Sequence, residues 1–84
     1  MDLNDATKEW RDWMVKSEYA ARTVQGASDM VSLWIRRQGI QNADPADISQ
    51  DNIRAYIEQN YSASKSKAVV LAHLKNFFDY CQAS

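Results

Sequence analysis

The chain is poor in the residues that bend, staple or functionalise a backbone, with two Gly, one Pro, one Cys and one His among 84 residues. A lone cysteine, Cys81, excludes an intramolecular disulfide and gives no sign of secretion. With His73 as the only histidine and Cys81 the only cysteine, a zinc site is disfavoured, and no strand-turn nucleophile motif surrounds His73. Gly26 and Gly39 are too few and too far apart for a glycine-rich phosphate loop. Val, Ile and Thr are sparse beside Ala, Lys, Gln and Glu, which disfavours hairpins and sheets. No apolar run approaches the ~20 residues that span a bilayer. The start Met1-Asp2-Leu3-Asn4-Asp5 lacks the basic residues and apolar stretch of a signal peptide. These absences point to a helical, cytoplasmic domain without cofactor, metal or membrane contact.

What is present can build a core. Hydrophobic residues make up 45% of the chain and include three Trp, four Tyr and two Phe. Burying one such ring stabilises by about 1.5–3 kcal/mol. The length lies below the usual domain size of roughly 100 to 150 residues, so residues 1–84 are read as one domain.

Apolar spacing and punctuation predict an all-α, four-helix bundle. Asp5 is placed to cap a first helix running to about Lys16, with Ala6, Trp10, Trp13 and Met14 on its apolar stripe. A second helix, from about Ala20 to Arg37, repeats the period through Val24, Ala27, Val31, Trp34 and Ile35, and Gly39 stops it. Gln41 to Asp47 reads as a loop. Ser49, flanked by Ile48 and Ile53, then matches a capped and stapled start for a third helix to about Gln59. Ser62 or Ser64 is placed to cap the last helix, with Val70, Leu71, Leu74, Phe77, Phe78 and Cys81 as its core stripe. All three Trp read as core anchors, and Cys81 as a small buried hydrophobe.

The net charge of −1 hides an uneven distribution. Residues 1–15 set Lys8 and Arg11 against Asp2, Asp5, Glu9 and Asp12, and residues 39–60 set Arg54 against Asp44, Asp47, Asp51 and Glu58. In contrast, residues 16–38 carry Lys16, Arg22, Arg36 and Arg37 against Glu18 and Asp29, and residues 61–84 carry Lys65, Lys67 and Lys75 against Asp79. The second and fourth helices are therefore the basic ones, and a polyanion would be met by the face that gathers them. Arg22, Gln25, Asp29 and Arg36 fall opposite or beside the apolar stripe as a polar ridge placed to enter a groove, within which Asp29 is unfavourable beside phosphate. Lys65, Ala72 and Asn76 point away from the core, Lys75 lies at the flank, and Lys67 projects toward the core side. Thr23, Gly26 and Ser66 leave room for close approach near first-turn N–H groups, which bind phosphate oxygens readily. Lys and Arg scattered on helices are usually a solvated surface, so charge alone does not establish a DNA face.

The order of motifs adds to this. Trp10-Arg11-Asp12-Trp13-Met14, Ala20-Ala21-Arg22-Thr23-Val24, Leu33-Trp34-Ile35, Asp47-Ile48-Ser49, Ile53-Arg54-Ala55-Tyr56-Ile57 and Lys75-Asn76-Phe77-Phe78-Asp79-Tyr80 cover nearly the whole chain. In this order and spacing they resemble the SAM-like N-terminal core-binding domain of tyrosine recombinases and phage integrases. The resemblance implies an orthogonal four-helix arrangement and a DNA-binding role without catalysis. It implies that the domain positions a recombinase on its double-stranded core recombination site, with the second and fourth helices toward the major groove. By position, Arg22, Thr23, Gln25, Gly26, Lys65, Ser66 and Lys75 match DNA-facing places, and Lys67 joins them by reaching past the helix end. The implied partners are duplex DNA, a C-terminal catalytic domain of the same chain beyond Ser84, and other recombinase protomers assembled on the site. The implied setting is a prokaryotic cytoplasm with a phage or mobile-element origin. The family's catalytic arginines and tyrosine belong to that further domain, so Tyr56, Tyr61 and Tyr80 are not matched to the nucleophile. Ala20 stands where the family often has a capping Ser or Thr, and Val69 and Val70 where arginines are common. The competing expectation is a helical protein–protein interaction module that binds no DNA, for which outward-facing Val69 is the sequence hint; a truncated regulator of recombination is a third.

Overall fold

Terminal backbone groups left over by each helix are met by local side chains and turns, and these set the element bounds. The structure, a computed structural model, describes residues 1–83. Its elements are α1 (Leu3–Lys16), α2 (Ala21–Gln38), a 3-10 turn at Pro45–Asp47, α3 (Gln50–Asn60) and α4 (Ser64–Ala83). Among the described residues there is no strand, and the four helices form a bundle. Ser84, after which the resemblance places a further domain, lies outside the described residues.

Helix α1 starts a turn earlier than its expected cap. Asp2, not Asp5, occupies the cap, and its carboxylate accepts the Asp5 N–H at 2.8 Å. The reason is burial: Leu3 is fully enclosed, and the Leu3 and Asn4 N–H groups donate to the carbonyls of Ala43 and Gln41 at 2.8 and 3.2 Å. Thr7 is also buried, its hydroxyl donating to the Leu3 carbonyl at 2.7 Å.

The helix ends in a Schellman turn: Glu18 N–H donates to Val15 and Tyr19 N–H to Met14, both at 3.1 Å, with Glu18 in the left-handed region at φ 65°. Helix α2 ends similarly at Gly39, φ 63°, where a glycine needs no strain. Its cap position, Ala20, makes no side-chain cap bond. The Ser49 hydroxyl accepts the Asn52 N–H at 3.2 Å and starts α3 as expected, which then continues to Asn60. For α4 the serine expectation is corrected. The Ala63 carbonyl accepts the Lys67 N–H at 3.0 Å, so Ala63 holds the cap position between Ser62 and Ser64.

Helix α4 packs against the other three. Trp10 and Phe77 meet edge to face at 5.3 Å, and Trp34 and Phe78 at 5.6 Å, around Val31, Val70 and Leu74. Two expected core residues are displaced from it. Trp13 is 43% exposed because it sits at the edge of the α1 stripe, whose opposite edge is filled by buried Thr7. Leu71 is 51% exposed because it turns past the core toward α3. Cys81 is half-buried, and burial, with Asp44 and Glu9 adding to it, pushes its thiol up and keeps it protonated. No helix among the described residues is long and apolar enough to cross a membrane.

Candidate nucleic-acid interface

The helical period divides α2 into two flanks on either side of its buried stripe. One flank is turned to α1, where Arg11 Nη2 donates to Gln25 Oε1 at 3.3 Å. Gln25 Nε2 in turn donates to both oxygens of Asp29, at 2.8 and 2.9 Å. Gln25 and the unfavourable Asp29 are thus tied to each other and to α1. The other flank carries Thr23, Gly26 and Arg37, and Thr23 lines a hollow with His73 and Asn76 of α4, whereas Arg22 stands outward on the side of Gln25 and Asp29. At its end Arg37 reaches α3, donating at 3.5 Å to Tyr56 Oη and to Asn60 Oδ1.

Helix α4 is divided in the same way. Lys65, Ser66, His73 and Asn76 fall on the flank toward α2, whereas Lys67, Leu71 and Lys75 line a groove toward α3. Of the DNA-face candidates, Thr23 of α2 borders α4, beside His73 and Asn76, and Arg22, Gly26, Lys65 and Ser66 are all exposed. Lys67 is not free, because its ammonium donates to Glu58 Oε2 of α3 at 3.0 Å. Lys75 stands on the outer bank of the α3 groove.

Contacts from both halves of α2 converge on the second half of α4, through Thr23 at the hollow and Trp34 against Phe78. Lys65 lies beyond that crossing, two turns before His73 and about 12 Å along the α4 axis. A Cβ built on Gly26 meets no atom within 4 Å, so its lack of a side chain serves no internal packing and leaves the α2 backbone open from outside.

Two surface features were not legible in the sequence. One is a groove of ≈1180 Å³ between α3 and α4, floored by Ile53, Ile57, Leu71 and Phe78. The other is the smaller hollow beside Thr23, where Trp13 stands 5.7 Å from Tyr19 and 5.5 Å from Tyr80. The one available signal for the second was Trp13 at the margin of its stripe followed by an aromatic just past the helix end. No known protein family, curated protein or solved structure matches the chain.

Proposed function

We propose that this domain docks on double-stranded DNA through the face shared by α2 and α4. The observation that carries the reading is which cations of α2 and α4 remain exposed and which carboxylates are engaged. Arg22 and Lys65 are exposed, while Asp29 is met by Gln25 and Glu58 of α3 is paired with Lys67. Phosphate contacts from Arg22, Lys65 and the first-turn N–H groups near Ser66 supply affinity, and Thr23 and Gly26 allow the α2 backbone to approach closely. The domain performs no chemistry of its own. Its likeness to recombinase core-binding domains supports the finer reading: it positions a site-specific tyrosine recombinase on its core site, alongside a catalytic domain of the same chain and neighbouring protomers.

The test is a titration of duplex DNA into isotope-labelled protein at low salt, following the backbone amides. Perturbations should cluster at residues 21–26 and 64–76; changes confined to α1 and α3 would overturn the proposal. With about four phosphates neutralised, log affinity should fall against log salt with a slope of roughly −3.6.

A second reading, a protein-interaction module, is favoured by the apolar α3/α4 groove. Unchanged mobility of duplex DNA at low ionic strength, together with concentration-dependent sedimentation of the protein alone, would decide for it.

A further inference from the structure

The hollow at the meeting of α1, α2 and α4 has a makeup that duplex docking does not use. It is an open hollow of ≈590 Å³, within the range of about 300–1,000 Å³ typical of small-ligand sites and too small for a double helix. Its wall is aromatic: Trp13 is fixed between Tyr19 and Tyr80, with ring centres 5.7 and 5.5 Å away. The Trp13–Tyr19 contact closes the Schellman turn at Glu18, yet Trp13 and Tyr19 remain 43% and 46% exposed. Trp10 and Trp34, by comparison, are only 2% and 1% exposed. A half-exposed indole held by two tyrosine neighbours offers surface on which a planar ligand can stack. The lining of the hollow is mostly apolar, and Thr23, His73, Asn76 and Asp79 supply hydrogen-bonding groups.

The geometry points to a pocket for a single unstacked nucleobase carrying an exocyclic amine, adenine best of all. The planar ring stacks on Trp13, which any base permits. The Asn76 amide offers a donor and an acceptor side by side, matching the N7 and amino group of adenine. The Asp79 carboxylate accepts from an amine and repels phosphate, so the base edge, not the backbone, enters the hollow. The inference rests on the DNA-docking reading for delivery of the strand and adds to it a preference for duplexes with an unpaired base.

The experiment measures affinity and tryptophan emission of the full chain with five probes. These are a fully paired duplex, the same duplex with one unpaired adenine, one unpaired thymine or one abasic residue, and a short single-stranded oligoadenylate. The adenine-bulged duplex should bind about tenfold tighter than the paired one and quench emission, since base–aromatic stacking has roughly that weight. Thymine should gain less and the abasic residue nothing. Trp13→Ala should abolish both the gain and the quenching while leaving paired-duplex affinity unchanged, with circular dichroism verifying the fold. Asn76→Ala, an exposed position, should erase the preference for adenine over thymine but keep the quenching.

Equal affinity for paired and adenine-bulged duplexes overturns the pocket and leaves duplex docking standing. An abasic bulge as good as an adenine bulge also overturns it, because DNA bending would then explain the gain. Quenching by oligoadenylate without any duplex binding overturns duplex docking and supports the pocket alone. Silence from every probe overturns both.

Discussion

Gly26 and Lys67 show how much a single side chain's surroundings decide. A glycine inside a helix costs about 0.5–1 kcal/mol relative to alanine, and no atom of this fold opposes a Cβ at position 26. Gly26→Ala should therefore raise stability by about 0.5–1 kcal/mol in a denaturant titration. The same change should weaken duplex binding if the α2 backbone is approached there, and opposite signs for the two measurements would separate a binding role from mere tolerance. The lysines divide along similar lines. Arg22→Ala and Lys65→Ala should each flatten the salt dependence of binding by about 0.9 of slope, one phosphate's share. Lys67→Ala should leave that slope unchanged, because its charge is already matched by Glu58. A salt slope that responds to Lys67 as strongly as to Lys65 would contradict the division of α4 into two flanks.

Helix ends decide where faces point. Glu18 occupies a left-handed position that an L-residue enters at a cost of roughly 1–2 kcal/mol, and it does so to turn the chain from α1 into α2. Glu18→Gly should relieve much of this and raise the thermal midpoint, with a gain near 1 kcal/mol after the added unfolded-state entropy of glycine. A lowered midpoint would mean that the glutamate side chain stabilises the turn in another way. The start of α1 teaches a related lesson. Asp2 and Asp5 are both plausible caps by type, and the choice was made by Leu3, whose burial under the loop carbonyls of Gln41 and Ala43 pulled the helix back a turn. At α4 no serine holds the cap position, since Lys67 N–H bonds to Ala63 and its side chain to Glu58. Local side-chain preference proposed these ends, and contacts from distant segments chose among them.

Taken whole, the molecule hangs on α4, which touches every other helix through Val70, Leu74 and Phe77. Phe77 is fully buried and meets Trp10 edge to face. Phe77→Ala should cost about 3–5 kcal/mol and, for a domain this small, remove most of the cooperative unfolding transition seen by circular dichroism. A loss under 1 kcal/mol would show that the bundle is not centred on this contact. The same central position explains the surface. Because α4 meets the other helices along one buried stripe, its two flanks open in different directions, one with His73 and Asn76 beside the hollow and one with Leu71 and Lys75 beside the α3 groove.

The helical class, the four elements, the stop at Gly39 and the start at Ser49 were written in the order of residues, because periodicity and capping act within a few positions of the chain. So was the segregation of positive charge to α2 and α4. Which cations stay free, which are spent on Glu58 or drawn toward Tyr56, and that Trp13 faces outward depend on partners far away in the chain. Contacts of that kind exist only once the helices have packed, since packing fixes which flank of each helix meets a neighbour and which meets water.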